Sequence, residues 1–241
     1  MHLCVDYLEK GLKGLFESRN SMAHPAAFGL TTLCPHELAD LLKRYCDEIE
    51  LFNSAYGLVS VKNRDELIVK HILDSLAPLN IIKQHITSEN FPSNPKIADA
   101  GSGAGLPGVP LAMALPGVSF SLIERMGRRA GFLRNTAAVL GLSNVEILEV
   151  EFEKAGPAIY DMICFRAFRP LTPEILKKLF RLLKPCGCLA AYKGRREVID
   201  TEMTLLSRIA EWKVIPCPVP FLEEERNLVL IKRTPYNINT E

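Results

Sequence analysis

The stretch Asp99-Ala100-Gly101-Ser102-Gly103-Ala104-Gly105-Leu106-Pro107-Gly108 places four glycines between a short apolar run, Pro95 to Ala100, and a helix-forming segment, Val109 to Leu115. A strand followed by a sharp turn and a helix is expected, with Pro107 and Pro110 near the first helical turn, where proline is tolerated. Glycine permits positive φ and removes the Cβ that would keep a ligand away from the main chain. Three glycines at alternate positions, 101, 103 and 105, therefore let a nucleoside lie against the loop.

Working outward, the chain beyond the loop alternates apolar runs with helical patterns, the signature of a parallel sheet covered on both faces. Strands are expected at 118–124, 145–150, 161–165, 188–192, 213–216 and 227–232, giving seven with the first. Helices are expected at 128–140, ending at Gly141, at 173–183 and at 197–210, with a turn at 183–187. Ahead of the loop, Leu38, Leu41, Leu42, Tyr45, Ile49 and Phe52 recur with helical period over residues 34–56, and Pro35 is placed to open that helix. A second helix is expected over 65–82 and a linker over 84–95. The division is a helical cap, residues 1–90, and a sheet domain, residues 91–241.

Composition fits this plan. The chain has 241 residues, 48% of them hydrophobic, enough for one α/β domain with a small extension. The formal net charge of +1 announces no polyanionic partner for the molecule as a whole. The two parts differ, with 9 basic against 12 acidic residues in 1–90 and 20 against 16 in 91–241. No long apolar run suggests a membrane span, and Asp6, Glu9 and Lys10 interrupt any amino-terminal signal, so a cytoplasmic protein is expected. Seven cysteines, with Cys186-Gly187-Cys188 wrongly spaced for a zinc or redox pair, point to reduced structural thiols and no metal.

In an open α/β sheet, ligands lie beyond the carboxyl ends of the strands where the strand order reverses. Glu124 ends the second strand about twenty residues past the glycine loop, where a carboxylate accepts hydrogen bonds from ribose hydroxyls. Phe152-Glu153 follows the third strand, where an apolar side chain and a backbone amide could hold an adenine, although a surface pair would read the same way. The dinucleotide fingerprint is Gly-x-Gly-x-x-Gly, with a pyrophosphate on the helix amino terminus. Here the loop reads Gly101-x-Gly103-x-Gly105 followed by Leu106-Pro107, which favours a nucleoside cofactor without phosphate, such as S-adenosylmethionine, and hence a methyltransferase.

Further residues sharpen this. The Gly105-Leu106-Pro107-Gly108 ending, His71-Ile72-Leu73-Asp74-Ser75 upstream, Phe165-Arg166-Ala167-Phe168 after the fourth strand and Lys193-Gly194 after the fifth together resemble the small-subunit ribosomal RNA guanine-7 methyltransferases, the glucose-inhibited division protein B family. The resemblance runs from about residue 51 to 232. It implies a class I S-adenosylmethionine-dependent methyltransferase fold, Rossmann-like with a seven-stranded, mostly parallel sheet, and an N-terminal helical cap. It implies transfer of a methyl group to ring nitrogen 7 of the guanosine at position 527 of 16S rRNA, with S-adenosylhomocysteine as product.

Carried over position by position, the resemblance implies that Gly101, Gly103 and Leu106 line the cofactor site, Glu124 holds the ribose, and Phe152 and Glu153 flank the adenine. Arg166 would reach the methionine carboxylate or the RNA. His71, Asp74 and Ser75 are spaced to share a helix face and read best as a local network orienting the cap. Nitrogen 7 bears a lone pair and no proton, so no catalytic base or cysteine is expected, and Cys186 and Cys217 carry no role. Basic residues follow three strands: Arg125, Arg128 and Arg129; Arg166 and Arg169; Lys193, Arg195 and Arg196. Among these, Arg128, Arg169, Lys193, Arg195 and Arg196 are the expected contacts to 16S rRNA or the small ribosomal subunit. Lys177, Lys178, Arg181 and Lys184 read as solvated charge. One departure stands in the cap, where Tyr56-Gly57-Leu58-Val59-Ser60 replaces the family's usual Tyr-Asn-Leu-Thr-Ser. A monomer is expected. The alternatives are a nicotinamide-dependent oxidoreductase on a similar sheet, a non-catalytic RNA-binding module, and a methyltransferase acting on another RNA or a small molecule.

Overall fold

The computed structural model describes residues 2–17, 33–89 and 91–234. Seven strands, β1 (Lys96–Ala100), β2 (Ser119–Ile123), β3 (Val145–Leu148), β4 (Tyr160–Arg166), β5 (Leu183–Lys193), β6 (Ala210–Pro216) and β7 (Asn227–Arg233), form one sheet in the order β3-β2-β1-β4-β5-β7-β6. All pairs are parallel except those made by β7, which runs antiparallel to β5 and β6. The direction of winding reverses between β1 and β4, so the crevice that such sheets use for ligands opens at the carboxyl ends of these two strands. Central strands buried on both faces are apolar almost throughout, as β4 shows with six consecutive buried residues.

Two apolar cores result, one on each face. Behind the sheet, Ala98, Ile163 and Phe165 pack against α8 (Pro173–Leu182) and α9 (Arg196–Thr204). In front, Ile97, Met162 and Cys164 pack beneath α6 (Gly108–Ala114), α7 (Gly127–Leu140) and the helices of the first ninety residues. Those helices are α1 (His2–Glu17), α2 (Pro35–Tyr56), α3 (Arg64–Leu67), α4 (Asp74–Leu76) and α5 (Leu79–Ser88). The cap thus shares a continuous core with the front of the sheet. Within it, Leu8 and Leu12 of α1 are fully buried, contributing roughly 1.5–3 kcal/mol each.

The expected elements are present, with four differences. Residues 65–82 do not form one helix: α3 passes into a π-helical turn, Ile68–Leu73, then α4, and the chain turns at Ala77-Pro78 before α5. Proline lacks the N–H that a continuous helix would need there. The expected linker 84–95 is shorter, because α5 continues to Ser88. The expected turn at 183–187 is absorbed into β5: Tyr160 pairs with Leu183 and Met162 with Cys188, so the extra residues form a bulge. Helix α9 ends at Thr204 rather than Ala210, which already opens β6.

Helix α2 begins and ends on local signals. Cys34 and Glu37 form a capping box, with the Glu37 N–H reaching Cys34 Sγ at 3.5 Å and the Cys34 N–H reaching Glu37 Oε2 at 3.1 Å. Pro35 occupies the first turn, and Gly57 closes the helix at φ 58°. Of residues 1–34, 2–17 form a cap helix; residues 18–32 lie outside the described residues.

Candidate active site

The glycine loop is built by its own backbone. The N–H groups of Gly101 and Ser102 donate to Ile123 O at 2.9 and 3.1 Å, and Ser102 Oγ donates to Asp99 O. Gly101, Gly103 and Gly105 all have positive φ. Their surroundings divide them. A Cβ on Gly105 would sit 2.5 Å from Val109 and 2.9 Å from Leu133, so this glycine serves packing. Gly108 is equally closed, with Leu122 and Asp99 in the way. A Cβ on Gly103 would meet only Gly101 O, at 3.9 Å, and one on Gly101 only the ring of Phe168, at 3.5 Å. Open backbone is therefore found at Gly101 and Gly103, whereas three open glycines were expected.

Glu124 follows β2 with its side chain buried. Its Oε2 accepts from the Gly103 N–H at 2.9 Å and its Oε1 from the Met126 N–H at 2.8 Å. The carboxylate thus ties the glycine loop to the start of α7, while each oxygen retains a lone pair for another donor. Leu106 is buried in the front core and precedes a cis peptide bond to Pro107. Cap and loop meet at Tyr45, whose hydroxyl donates to Ala104 O at 2.6 Å from inside the core. Its position on the apolar stripe of α2 hid this contact from the sequence.

Asp99 was not singled out among the loop residues, yet it is the most perturbed carboxyl group of the site. It is fully buried on β1, its Oδ2 accepts from the Gly108 N–H at 2.9 Å, and its Oδ1 has no partner. Burial pushes it up to about 7, against the pull of Gly108 and of the Arg166 charge.

Phe152 is buried in the rear core beyond β3, and Phe168 meets it edge-on with ring centroids 5.4 Å apart. Ala167, in the left-handed region at φ 50°, lies just before Phe168, whose ring flanks Gly101. Glu153 accepts from Arg169, whose guanidinium lies over both rings, and has Lys178 3.8 Å away.

Arg166 lies at the carboxyl end of β4 and reaches into the cap. It donates to Asp74 Oδ2 at 2.9 Å and meets His71 Nδ1 at 3.0 Å. Ser75 Oγ donates to His71 O, and Tyr192 donates to Ser75 O. Of these three side chains, only that of Ser75 is linked locally, to His71; His71 and Asp74 are brought into one network by Arg166 of β4 rather than by the helix they share.

The three basic clusters all follow carboxyl ends of parallel strands, but many of their charges are compensated. Lys193 pairs with Glu202 at 2.7 Å, both side chains largely buried, Arg196 pairs with Asp200, and Arg169 with Glu153. Arg125, Arg128 and Arg195 are exposed and have no carboxylate partner among the described residues. The charges expected to be merely solvated are partly structural: Lys184 pairs with the buried Asp161, and Arg181 donates to the carbonyls of Glu153 and Ala155. Cys186 lies in the β5 bulge at the opposite end of the sheet from the glycine loop, and Cys217 is buried.

Arg129 Nη2 donates to Gly57 O, at the cap segment that departs from the usual family sequence. The amide there comes from another position, Asn53, whose Oδ1 accepts from the Val59 N–H at 2.9 Å. No described helix is long and apolar enough to cross a membrane, and no group of three or more potential ligands for a metal ion occurs among the described residues.

Comparison with known proteins places this arrangement. Solved structures of an S-adenosylmethionine-dependent methyltransferase from Aquifex aeolicus (TM-score 0.50, 19% identity, covering 66% of this chain and 92% of that one) and of a putative one from Methanococcus maripaludis (0.54, 14%, 80% and 93%) share the fold. The chain is 39% identical over 261 residues to ribosomal RNA small subunit methyltransferase G of Treponema denticola, covering 96% of this chain and 97% of that protein. It is 42% identical over 198 residues to the protein of the same name from Treponema pallidum, covering 80% and 85%. Residues 38–229 match the family model for GidB, rRNA small subunit methyltransferase G. With that match and that identity over nearly its whole length, the chain belongs to the rRNA small subunit methyltransferase G family.

Proposed function

We propose that this protein transfers a methyl group from S-adenosylmethionine to ring nitrogen 7 of the guanosine at position 527 of 16S rRNA. The observation that carries the reading is the glycine loop at the switch point, open at Gly101 and Gly103 and tied to the buried Glu124. A nucleoside fits there: the open glycines admit it to the main chain, and Glu124 has lone pairs left for ribose hydroxyls. The unpartnered Asp99 Oδ1 offers an acceptor to a cationic amino-acid end. The relatives named above are rRNA methyltransferases by name, which supports the acceptor.

S-adenosylmethionine supplies an electrophilic methyl group on a sulfonium sulfur. Guanine nitrogen 7 presents a lone pair and no proton, so the protein's task is alignment for in-line displacement, with no residue acting as a base. Glu124 holds the ribose, Leu106 lines the loop side, and Phe152 with Glu153 borders the adenine. Arg166 serves the methionine end. Arg128 and Arg195 meet RNA phosphates directly, while the exposed guanidinium groups of Arg169 and Arg196 exchange their carboxylate partners for phosphate. The largely buried pair made by Lys193 fits a structural role better than the RNA contact expected of it. Residues 1–90 act as the cap and 91–241 as the catalytic part of a cytoplasmic monomer working on 16S rRNA or the small ribosomal subunit.

The reading is tested by thermal shift with S-adenosylhomocysteine and with NAD. Stabilisation by the first alone is expected, reduced in Glu124→Ala. Stabilisation by NAD alone would favour the oxidoreductase.

A further inference from the structure

Arg166 has five N–H donors fixed in one plane. Nη1 lies 2.9 Å from Asp74 Oδ2 and 3.3 and 3.5 Å from the carbonyl oxygens of Lys70 and His71. Nη2 lies 3.0 Å from His71 Nδ1. A guanidinium accepts nothing, so the imidazole accepts here, which places the proton of His71 on Nε2. Burial, helped by the Arg166 charge, lowers His71 to about 4 and keeps it neutral at physiological pH. The cap makes these contacts through the π-helical turn Ile68–Leu73, a geometry frequent at functional sites.

The donor count then says what remains. Both Nη1 protons and one Nη2 proton face the cap. The Nε–H and the second Nη2–H, parallel along one edge of the guanidinium, have no partner among the described residues. Their spacing suits two oxygens of a carboxylate. Charge points the same way. Arg226, beside the start of β7, brings its Nε to 3.2 Å from Asp74 Oδ1, so two arginines share one aspartate. With His71 neutral, that cluster carries an excess positive charge where the Asp74 and Arg166 side chains are only 8% and 14% exposed. Asp99, itself held up to about 7, offsets part of it.

We propose that His71 and Asp74 are positioning residues, which hold the Arg166 guanidinium by its end so that its free side receives the carboxylate of the cofactor's amino-acid moiety. The inference rests on the S-adenosylmethionine reading above and adds the cap to the cofactor site: one arginine holds the cap and the cofactor together. The Asp74–Arg226 contact extends this link to the segment before β7.

The test is calorimetric titration of the full chain with S-adenosylhomocysteine and with 5′-methylthioadenosine, which keeps the nucleoside and thioether but lacks the amino-acid end. In Asp74→Asn, the affinity for S-adenosylhomocysteine should fall about tenfold or more, as for loss of a well-placed charged contact. The affinity for 5′-methylthioadenosine should stay within about twofold. Should Asp74→Asn fail to fold, His71→Leu, which removes only the neutral acceptor, is expected to show the same selective loss. Equal weakening of both ligands, or none, would overturn the proposal, since a merely structural role does not distinguish them. Wild-type protein binding neither ligand would instead refute the cofactor reading, and the proposal with it.

Discussion

Replacing Gly105 and Gly103 separately by alanine separates packing from ligand access within one loop. At Gly105 the new Cβ would lie 2.5 Å from Val109, 2.9 Å from Leu133 and 3.2 Å from the Tyr45 hydroxyl, at φ +90°. Overpacking of this kind costs about 1–3 kcal/mol, and a left-handed backbone about 1–2 kcal/mol more for a residue with a Cβ. The sum, about 2–5 kcal/mol, corresponds to a melting-temperature loss of roughly 10 °C in a chain of this size. At Gly103 only the backbone term applies, since the nearest atom is Gly101 O at 3.9 Å, so roughly 3–5 °C is expected. The binding effects should run the other way among folded molecules. Gly103→Ala places a methyl on the open face and weakens S-adenosylhomocysteine binding far beyond its effect on stability. Differential scanning fluorimetry and calorimetric titration read the two quantities. Equal melting temperatures for the variants, or unimpaired binding by Gly103→Ala, would refute this division of the loop.

Three further outcomes are expected. Asp99 sits at about 7 in the folded chain against 3.8 ordinarily, so its contribution to stability is complete below about pH 4 and lost as pH rises through 7. The difference is on the order of 4 kcal/mol, and Asp99→Asn, which still accepts from Gly108, should flatten that fall in urea titrations between pH 4 and 8; an unchanged slope would count against it. The double variant Arg128→Ala, Arg195→Ala should weaken RNA binding and reduce the salt slope by roughly 1.5–2 without changing S-adenosylhomocysteine affinity, and an unchanged slope would remove both residues from the RNA surface. Lys193→Ala leaves Glu202 without its cation in a largely buried place and should cost about 3 kcal/mol in denaturant unfolding, a loss that Arg195→Ala should not share.

What could be read from the sequence was local. The glycine loop, the acid closing β2, Pro35 at the start of α2, Gly141 at the end of α7, and the apolar strands each announce themselves within a few residues, because turn, cap and burial preferences act at that range. The rest depended on partners distant in the chain. The π-helical turn is not written in the period of residues 65–82, and its carbonyls at Lys70 and His71 meet Arg166, nearly a hundred residues on. The basic clusters could be placed on one edge of the sheet, but not the neutralisation of Arg169 and Lys193, since Glu153 and Glu202 reach them only in the fold. Gly105 and Gly103 are alike in sequence and differ only in what packs behind them.

The most direct measurement is transfer of a labelled methyl group from S-adenosylmethionine to small ribosomal subunits lacking the modification, with the modified base mapped afterwards. Label on nitrogen 7 of the guanosine at position 527, abolished by Gly103→Ala, is the expected result. Cofactor binding without label in the RNA would contradict the assigned acceptor, and label at another base would contradict the assigned position.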